Sequence, residues 1–333
     1  MNVRGTRSSK PFFIRHYLSF NRIKQFWLGI FGLLLGVFAL PLMIHGMENA
    51  DKTPSLQGTI VWETNRDGNW EIYRMNQDGS NQVRLTHNPL PDSAPKWAPD
   101  GRRIYFQRVG KDGVPSILSI GEHGLDERVV VQNGSGHSLS EKGKTLVFER
   151  LVNGRYLFYK KNLESGVEEE IPIQDIEELR GKEARGPVLS PDGRWLGLTF
   201  KTRGWNIRTV DLNTRKIYRV GKGCEPAWSP DGNRLLWSRA RGIGRTSIWS
   251  ADRWGGNHRV VSDMRSSRSH EYFPQWSNDG RFVVFAVCPN SQHDPDRSDY
   301  DIFITKLDSG SPPIRLTVDP STDRYPSLFI PNS

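Results

Sequence analysis

Asp92, Glu271 and Asp323 share one register, each three residues ahead of a proline (Pro95, Pro274, Pro326). Near the same register stand His137, Glu183, Arg185, Glu225, His270, Tyr272, Arg324 and Tyr325. Carboxylates held at one level of a closed ring would focus a negative potential. Such a ring could hold a cation or receive a basic peptide segment. The plainer alternative is that each acid hydrogen-bonds the turn that starts its strand. A rival chemistry uses Glu225, Glu271, His270 and Asp323 as a metal site for assisted hydrolysis of an ester or lactone. Other catalytic signatures are absent: there is no Gly-x-Ser-x-Gly elbow, no His-Glu-x-x-His, no P-loop and no dinucleotide glycine fingerprint. Asp294, Asp296, Asp299 and Asp301 crowd one loop and invite a calcium reading. They lack the central Gly and terminal Glu of a calcium hand, and Asp301 aligns with Glu71 at a strand start, so no cofactor is expected.

The elements that must position these residues repeat. Pro95-Lys-Trp-Ala-Pro-Asp-Gly101, Pro187-Val-Leu-Ser-Pro-Asp-Gly193, Pro226-Ala-Trp-Ser-Pro-Asp-Gly232 and Pro274-Gln-Trp-Ser-Asn-Asp-Gly280 are variants of one motif, with His137-Ser-Leu-Ser-Glu-Lys-Gly143 a weaker copy. Their glycines fall 42, 50, 39 and 48 residues apart, a period that points to a propeller or a solenoid. Each unit reads as a short strand, a tight turn, a strongly apolar strand such as Phe282-Val-Val-Phe285, a third strand such as Glu71-Ile-Tyr-Arg-Met75, and a polar fourth strand. Apolar character falls from the second strand to the fourth, as expected where inner strands are covered on both faces. Gly58-Thr-Ile-Val-Trp62 is a second strand without a first, and 323–330 is a first strand with nothing after it. Joining them predicts an all-β, six-bladed β-propeller over 56–330, closed by its C-terminal strand.

Asn69-Trp-Glu-Ile-Tyr-Arg-Met-Asn-Gln-Asp-Gly-Ser80, Arg84-Leu-Thr-His-Asn-Pro89 and Asp92-Ser-Ala-Pro-Lys-Trp-Ala-Pro-Asp-Gly101 resemble the TolB-type (WD40-like) propeller repeat of bacterial envelope proteins. The resemblance covers essentially all of 56–330. It implies the fold, which hosts several functions. The expected function is a non-catalytic scaffold whose loop-bearing face meets an envelope protein or peptide, and aromatic and arginine side chains such as Tyr272, Tyr325 and Arg324 would be its anchors. TolB itself carries a separate α/β domain before its propeller, and between Ile44 and Leu56 there is no room for one.

The rest of the chain sets compartment and charge. Residues 1–25 carry six basic and no acidic side chains, so of the net charge of +9 only +3 belongs to the remainder. That balance excludes a nucleic-acid footprint. Residues 26–44 contain no charge and would span about 28 Å as a helix. They read as a transmembrane signal anchor with the basic tail in the cytoplasm, a 45–55 linker, and the propeller in the periplasm or an equivalent space; a cleaved signal, giving a secreted propeller, is the alternative. A monomeric propeller with a three-residue tail, 331–333, is expected. Cys224 and Cys288 should lie on one face of adjacent blades, as two free thiols or as a disulfide. Loops on the acidic face are basic: Arg66, Arg108, Lys111, Arg150, Arg155, Lys201, Arg203, Arg239, Arg241 and Arg245.

Overall fold

The computed structural model describes residues 58–140, 143–241, 245–264, 269–288 and 299–331. The basic tail, the apolar segment 26–44, the linker 45–55, Asp294 and Asp296 lie outside the described residues. No helix among the described residues is long and apolar enough to cross a membrane. The chain divides after Leu56, and every strand belongs to the second unit.

Six four-stranded antiparallel sheets follow one another. Blade one contains β1 (Thr59–Thr64), β2 (Glu71–Asn76) and β3 (Val83–Arg84). Blade two is β4 (Asp92–Trp97), β5 (Arg103–Val109), β6 (Pro115–Gly121) and β7 (Arg128–Val131). Blade three is β8 (Ser135–Ser140), β9 (Thr145–Val152), β10 (Arg155–Asn162) and β11 (Glu168–Ile171). Blade four is β12 (Ala184–Leu189), β13 (Trp195–Thr202), β14 (Gly204–Asp211) and β15 (Ile217–Lys222). Blade five is β16 (Cys224–Trp228), β17 (Arg234–Ala240), β18 (Thr246–Asp252) and β19 (Arg259–Ser262). Blade six is β20 (His270–Trp276), β21 (Phe282–Cys288), β22 (Asp301–Lys306) and β23 (Ile314–Arg315). The last strand, β24 (Asp323–Phe329), pairs antiparallel with β1, with Thr59 opposite Phe329 and Thr64 opposite Asp323.

The first turn of each blade explains why Ser-Pro-Asp-Gly recurs. Gly193 and Gly232 sit at φ 73° and 68°, where a side chain is strained. In blade five the Ser229 hydroxyl accepts Arg234 N at 3.0 Å and donates to Asp231, which in turn accepts Asn233 N. Local side chains thus satisfy the tip that no ladder bond reaches.

The core is divided by seam. Alternate residues of each second strand face opposite neighbours: Ile104 and Phe106 pack with Val61 and Ile72 of blade one, while Tyr105 packs with Leu146 and Phe148 of blade three. Burial on both faces accounts for the unbroken apolar runs of these strands. The fourth strands meet water, leaving Val83, Val129, Val260 and Ile314 exposed.

Candidate functional site around the central channel

Every innermost strand is kinked at the same place. Ala94, Gly136, Gly186, Glu225, Phe273 and Tyr325 all have φ between 52° and 62°, and the ladder to the second strand slips one register there. Each is a β-bulge of one extra residue. Four of the six carry a side chain in a left-handed conformation costing about 1–2 kcal/mol, so something must hold them.

The preceding blade supplies the hold at five of the six seams. At four of them the residue after the aromatic or leucine of its second strand reaches across and accepts the bulge N–H. Glu63 Oε2 takes Ala94 N at 2.7 Å, Gln107 Oε1 takes Gly136 N at 3.4 Å, Glu149 Oε2 takes Gly186 N at 3.0 Å, and Thr199 Oγ1 takes Glu225 N at 3.2 Å. At the fifth seam the equivalent residue is Ser238. It instead donates to Glu225 Oε2, which accepts Phe273 N at 2.7 Å. Two latches carry a buried counter-ion: Arg324 on Glu63 and Arg185 on Glu149, both at 2.7 Å. Their guanidinium groups lie 4.0 Å from the Trp70 ring centre and 3.4 Å from that of Tyr156.

The expected open ring of carboxylates is therefore not there. Asp92 is fully buried in a two-bond pair with Arg108, with Asn88 on its second oxygen. Asp323 is fully buried beneath Trp62 Nε1 and Arg66, and Glu271 accepts Met264 N at 2.6 Å. Burial raises the carboxyl pKa of all three. These acids start strands, as the plainer reading had it. Arg185, Tyr272 and Arg324 are buried, His270 stacks on Tyr272, and Glu183 pairs with Lys201 at the surface. The hydrolytic set is not convergent: Glu225, Glu271 and Asp323 each serve a different protein donor. No group of three His, Cys, Asp or Glu among the described residues could hold a metal ion. Asp301 is buried against Arg315 at 2.6 Å, with its pKa raised by burial to about 6. The basic loops are largely spent on neighbours: Arg66 on Asp319, Arg108 on Glu127, Arg150 on Glu168, and Arg241 and Arg245 on Asp263. Cys224 and Cys288 form no disulfide; Cys288 lies within the aromatic cluster of the blade six–blade one seam and Cys224 packs against it.

The bulge register carries Glu225 and, two residues past a bulge, Lys96, with His137 buried nearby; of these Lys96 has no place among the expected site residues. Glu225 and Lys96 are half-buried. Burial raises Glu225 to about 7 and lowers Lys96 to about 8, each partly countered by the other's charge. Burial, helped by Lys96, lowers His137 to about 4, so its ring is neutral. A signal for Lys96 exists in the repeat. Strand alternation turns the bulge residue and the residue two further on toward the axis. At that second position the six blades carry Ser327, Lys96, Ser138, Val188, Ala227 and Gln275, and the lysine is the one charge.

The rim is lopsided. Blades two, three and four contribute Ala94, Gly136 and Gly186 at the bulge, whereas blades five, six and one contribute Glu225, Phe273 and Tyr325. The Phe273 and Tyr325 ring centres are 3.9 Å apart. A Cβ added at Gly186 would meet no atom within 4 Å. One half of the rim thus carries large side chains; in the other, Gly186 borders open space while Gly136 lies against the Glu149 side chain.

No family model matches the chain. An uncharacterized protein of Agrobacterium fabrum is 24% identical over 201 residues, covering 55% of this chain and 65% of that protein's length. The crystal structure of TolB from Acinetobacter baumannii superposes with a TM-score of 0.65 at 19% identity, covering 82% of this chain and 67% of the other. A structure described as TolB from Agrobacterium tumefaciens superposes with a TM-score of 0.60 at 19% identity, over 79% and 89% of the two chains. The chain shares the TolB-type six-bladed propeller fold.

Proposed function

We propose that this chain is a non-catalytic scaffold, a propeller tethered through 26–44 outside the cytoplasm that docks a segment of an envelope protein on its channel face. The observation that carries the reading is the lopsided rim. A rigid ring of six bulges sets an aromatic and acidic half, Glu225, Phe273 and Tyr325, against a half of small residues, Ala94, Gly136 and Gly186, with open space at Gly186. A groove with one apolar wall and an open side suits an extended segment whose side chain enters the gap. The tether rests on the uncharged stretch 26–44 behind a basic flank. We assign the pairing of β24 with β1 the role of closing clasp, since it covers the inner edge that β1 would otherwise expose.

The test is crosslinking in intact cells, followed by identification of what copurifies with the full chain. Ala94→Tyr adds a ring to the half of small residues and should be tolerated, because Tyr325 already occupies the equivalent bulge at the same φ of 52°. Capture of the partner should fall at least tenfold with melting temperature unchanged. Undiminished capture by Ala94→Tyr would remove the channel mouth as the docking surface.

A further inference from the structure

We propose that a cavity at the seam between blades five and six binds a small organic acid, whose carboxylate bridges Arg234 and Arg259 while its apolar body packs on Trp276. The cavity measures about 600 Å³, a size typical of small-molecule sites. It lies at the turn ends of the strands, between the first turns of the two blades (Pro230, Asp231, Gly280) and the 308–311 turn. The bulges of the rim sit near the opposite ends. The site therefore goes beyond the docking reading and does not depend on it.

Blade two shows what blade five lacks. Arg103 opens β5 and Arg128 opens β7, and the Asp126 carboxylate bridges them, 2.8 Å from Arg103 Nη1 and 2.7 Å from Arg128 Nη2. The Asp126 carbonyl accepts Arg103 Nη2 at 2.6 Å, and Arg103 Nε donates to Ser119 Oγ at 3.1 Å. Blade five repeats this frame. Arg234 opens β17, Arg259 opens β19, and Arg234 Nη2 donates to Asn257 O at 2.8 Å and to Ser250 Oγ at 3.0 Å. Ser250 stands directly opposite Arg259 in the ladder, as Ser119 stands opposite Arg128. Only the carboxylate is gone. Asn257 keeps the left-handed turn of Asp126, φ 50° against 57°, but its Nδ2 is drawn to Asp252 Oδ2 at 3.0 Å. Neither Arg234 nor Arg259 forms an ion pair with a described residue. The nearby acids serve their own turns: Asp252 accepts Trp254 N and Gly256 N, and Asp231 accepts the Ser229 hydroxyl and Asn233 N. Burial and the Arg259 charge hold Arg234 below its ordinary pKa, against the pull of those two acids. An anion between the two guanidinium groups relieves their repulsion.

A second, independent feature lies in the apolar wall. Trp97 and Trp228, at the matching position of blades two and five, donate their indole N–H to Thr59 O and Val188 O of the preceding blade, both at 3.0 Å. The buried indole N–H of Trp276 has no partner among the described residues. The bond that draws the tryptophan onto its neighbour is absent at this seam, and the cavity opens there. Val260, Val261 and Leu307 complete the wall. Blade two thus supplies the template for the ligand's head, a carboxylate between two guanidinium forks. The wall and the volume call for an apolar body larger than that head. Asp279 is spent on Arg281 at 2.5 Å, but Asp231 remains in the lining, so a singly charged head fits better than a phosphate dianion.

The experiment is saturation-transfer NMR on the full chain in detergent, with phenylacetate as probe. Saturable binding is expected at neutral pH, with phenylacetamide binding at least tenfold more weakly. Asn257→Asp installs the carboxylate of blade two. It should weaken phenylacetate at least tenfold while the melting temperature holds or rises, which guards against loss of fold. Arg259→Gln, at an exposed position, should weaken binding likewise. Arg128→Gln, the matching arginine of blade two, should leave it unchanged. Absence of saturable binding, equal binding of phenylacetamide, or binding unchanged by either Asn257→Asp or Arg259→Gln overturns the proposal.

Discussion

Glu225 and His137 titrate in opposite senses over nearly the same pH range. The Glu225 carboxyl has an ordinary value of 4.5 and sits at about 7 in the folded chain. Between those values the native state holds more protons than the unfolded one, so this residue's contribution falls as pH rises from about 4.5 to 7. His137 moves from an ordinary 6.5 to about 4, so its contribution rises as pH climbs from about 4 to 6.5. Paired melting curves should show this directly. Relative to the parent, Glu225→Gln should gain melting temperature across pH 4.5–7, and His137→Pro should lose it across pH 4–6.5. Differences of the same sign, or none, would show that the channel leaves these two groups as solvent does. Neither effect is visible in a sequence, since each depends on which strands enclose the side chain. The residue types at the rim were legible; their burial, which turned Asp92, Glu271 and Asp323 into strand-starting acids, was not.

At the scale of the element, the innermost strand is short and strained, and the latch from the neighbouring blade offsets the strain. Glu149 serves both Gly186 N and the buried Arg185. Glu149→Ala leaves the buried guanidinium without its carboxylate, which should cost about 3–5 kcal/mol in denaturant unfolding. Replacing Glu149 and Arg185 together by Met should recover most of that loss. If the double variant were as unstable as the single one, the bulge bond and not the ion pair would be the larger part. The blade pattern was readable because turn and strand chemistry are local: Ser-Pro-Asp-Gly marks the first turn and apolar runs mark the second strands. The latch bridges two blades, so no single repeat reveals it. Aligning the repeats would have shown Glu63, Gln107, Glu149, Thr199, Ser238 and Ala286 in one column, each following an aromatic residue or leucine.

For the propeller as a whole, stability is shared among six seam cores, each joining only two neighbours. Removing 323–333 takes Leu328 from the seam between blades six and one and Phe329 from that between blades one and two, and bares the inner edge of β1. The truncated chain should melt earlier and less cooperatively and should self-associate, as read by scanning calorimetry and light scattering. A melting profile equal to that of the parent would show that β24 is no clasp.

Because Thr59 and Phe329 face each other in one ladder, a linker of a few residues could splice them. Fresh ends could then be opened at the exposed Asn153–Gly154 hairpin, where a Cβ on Gly154 would meet nothing. Such a circular permutant should refold to the same ring, since no blade depends on being synthesised first.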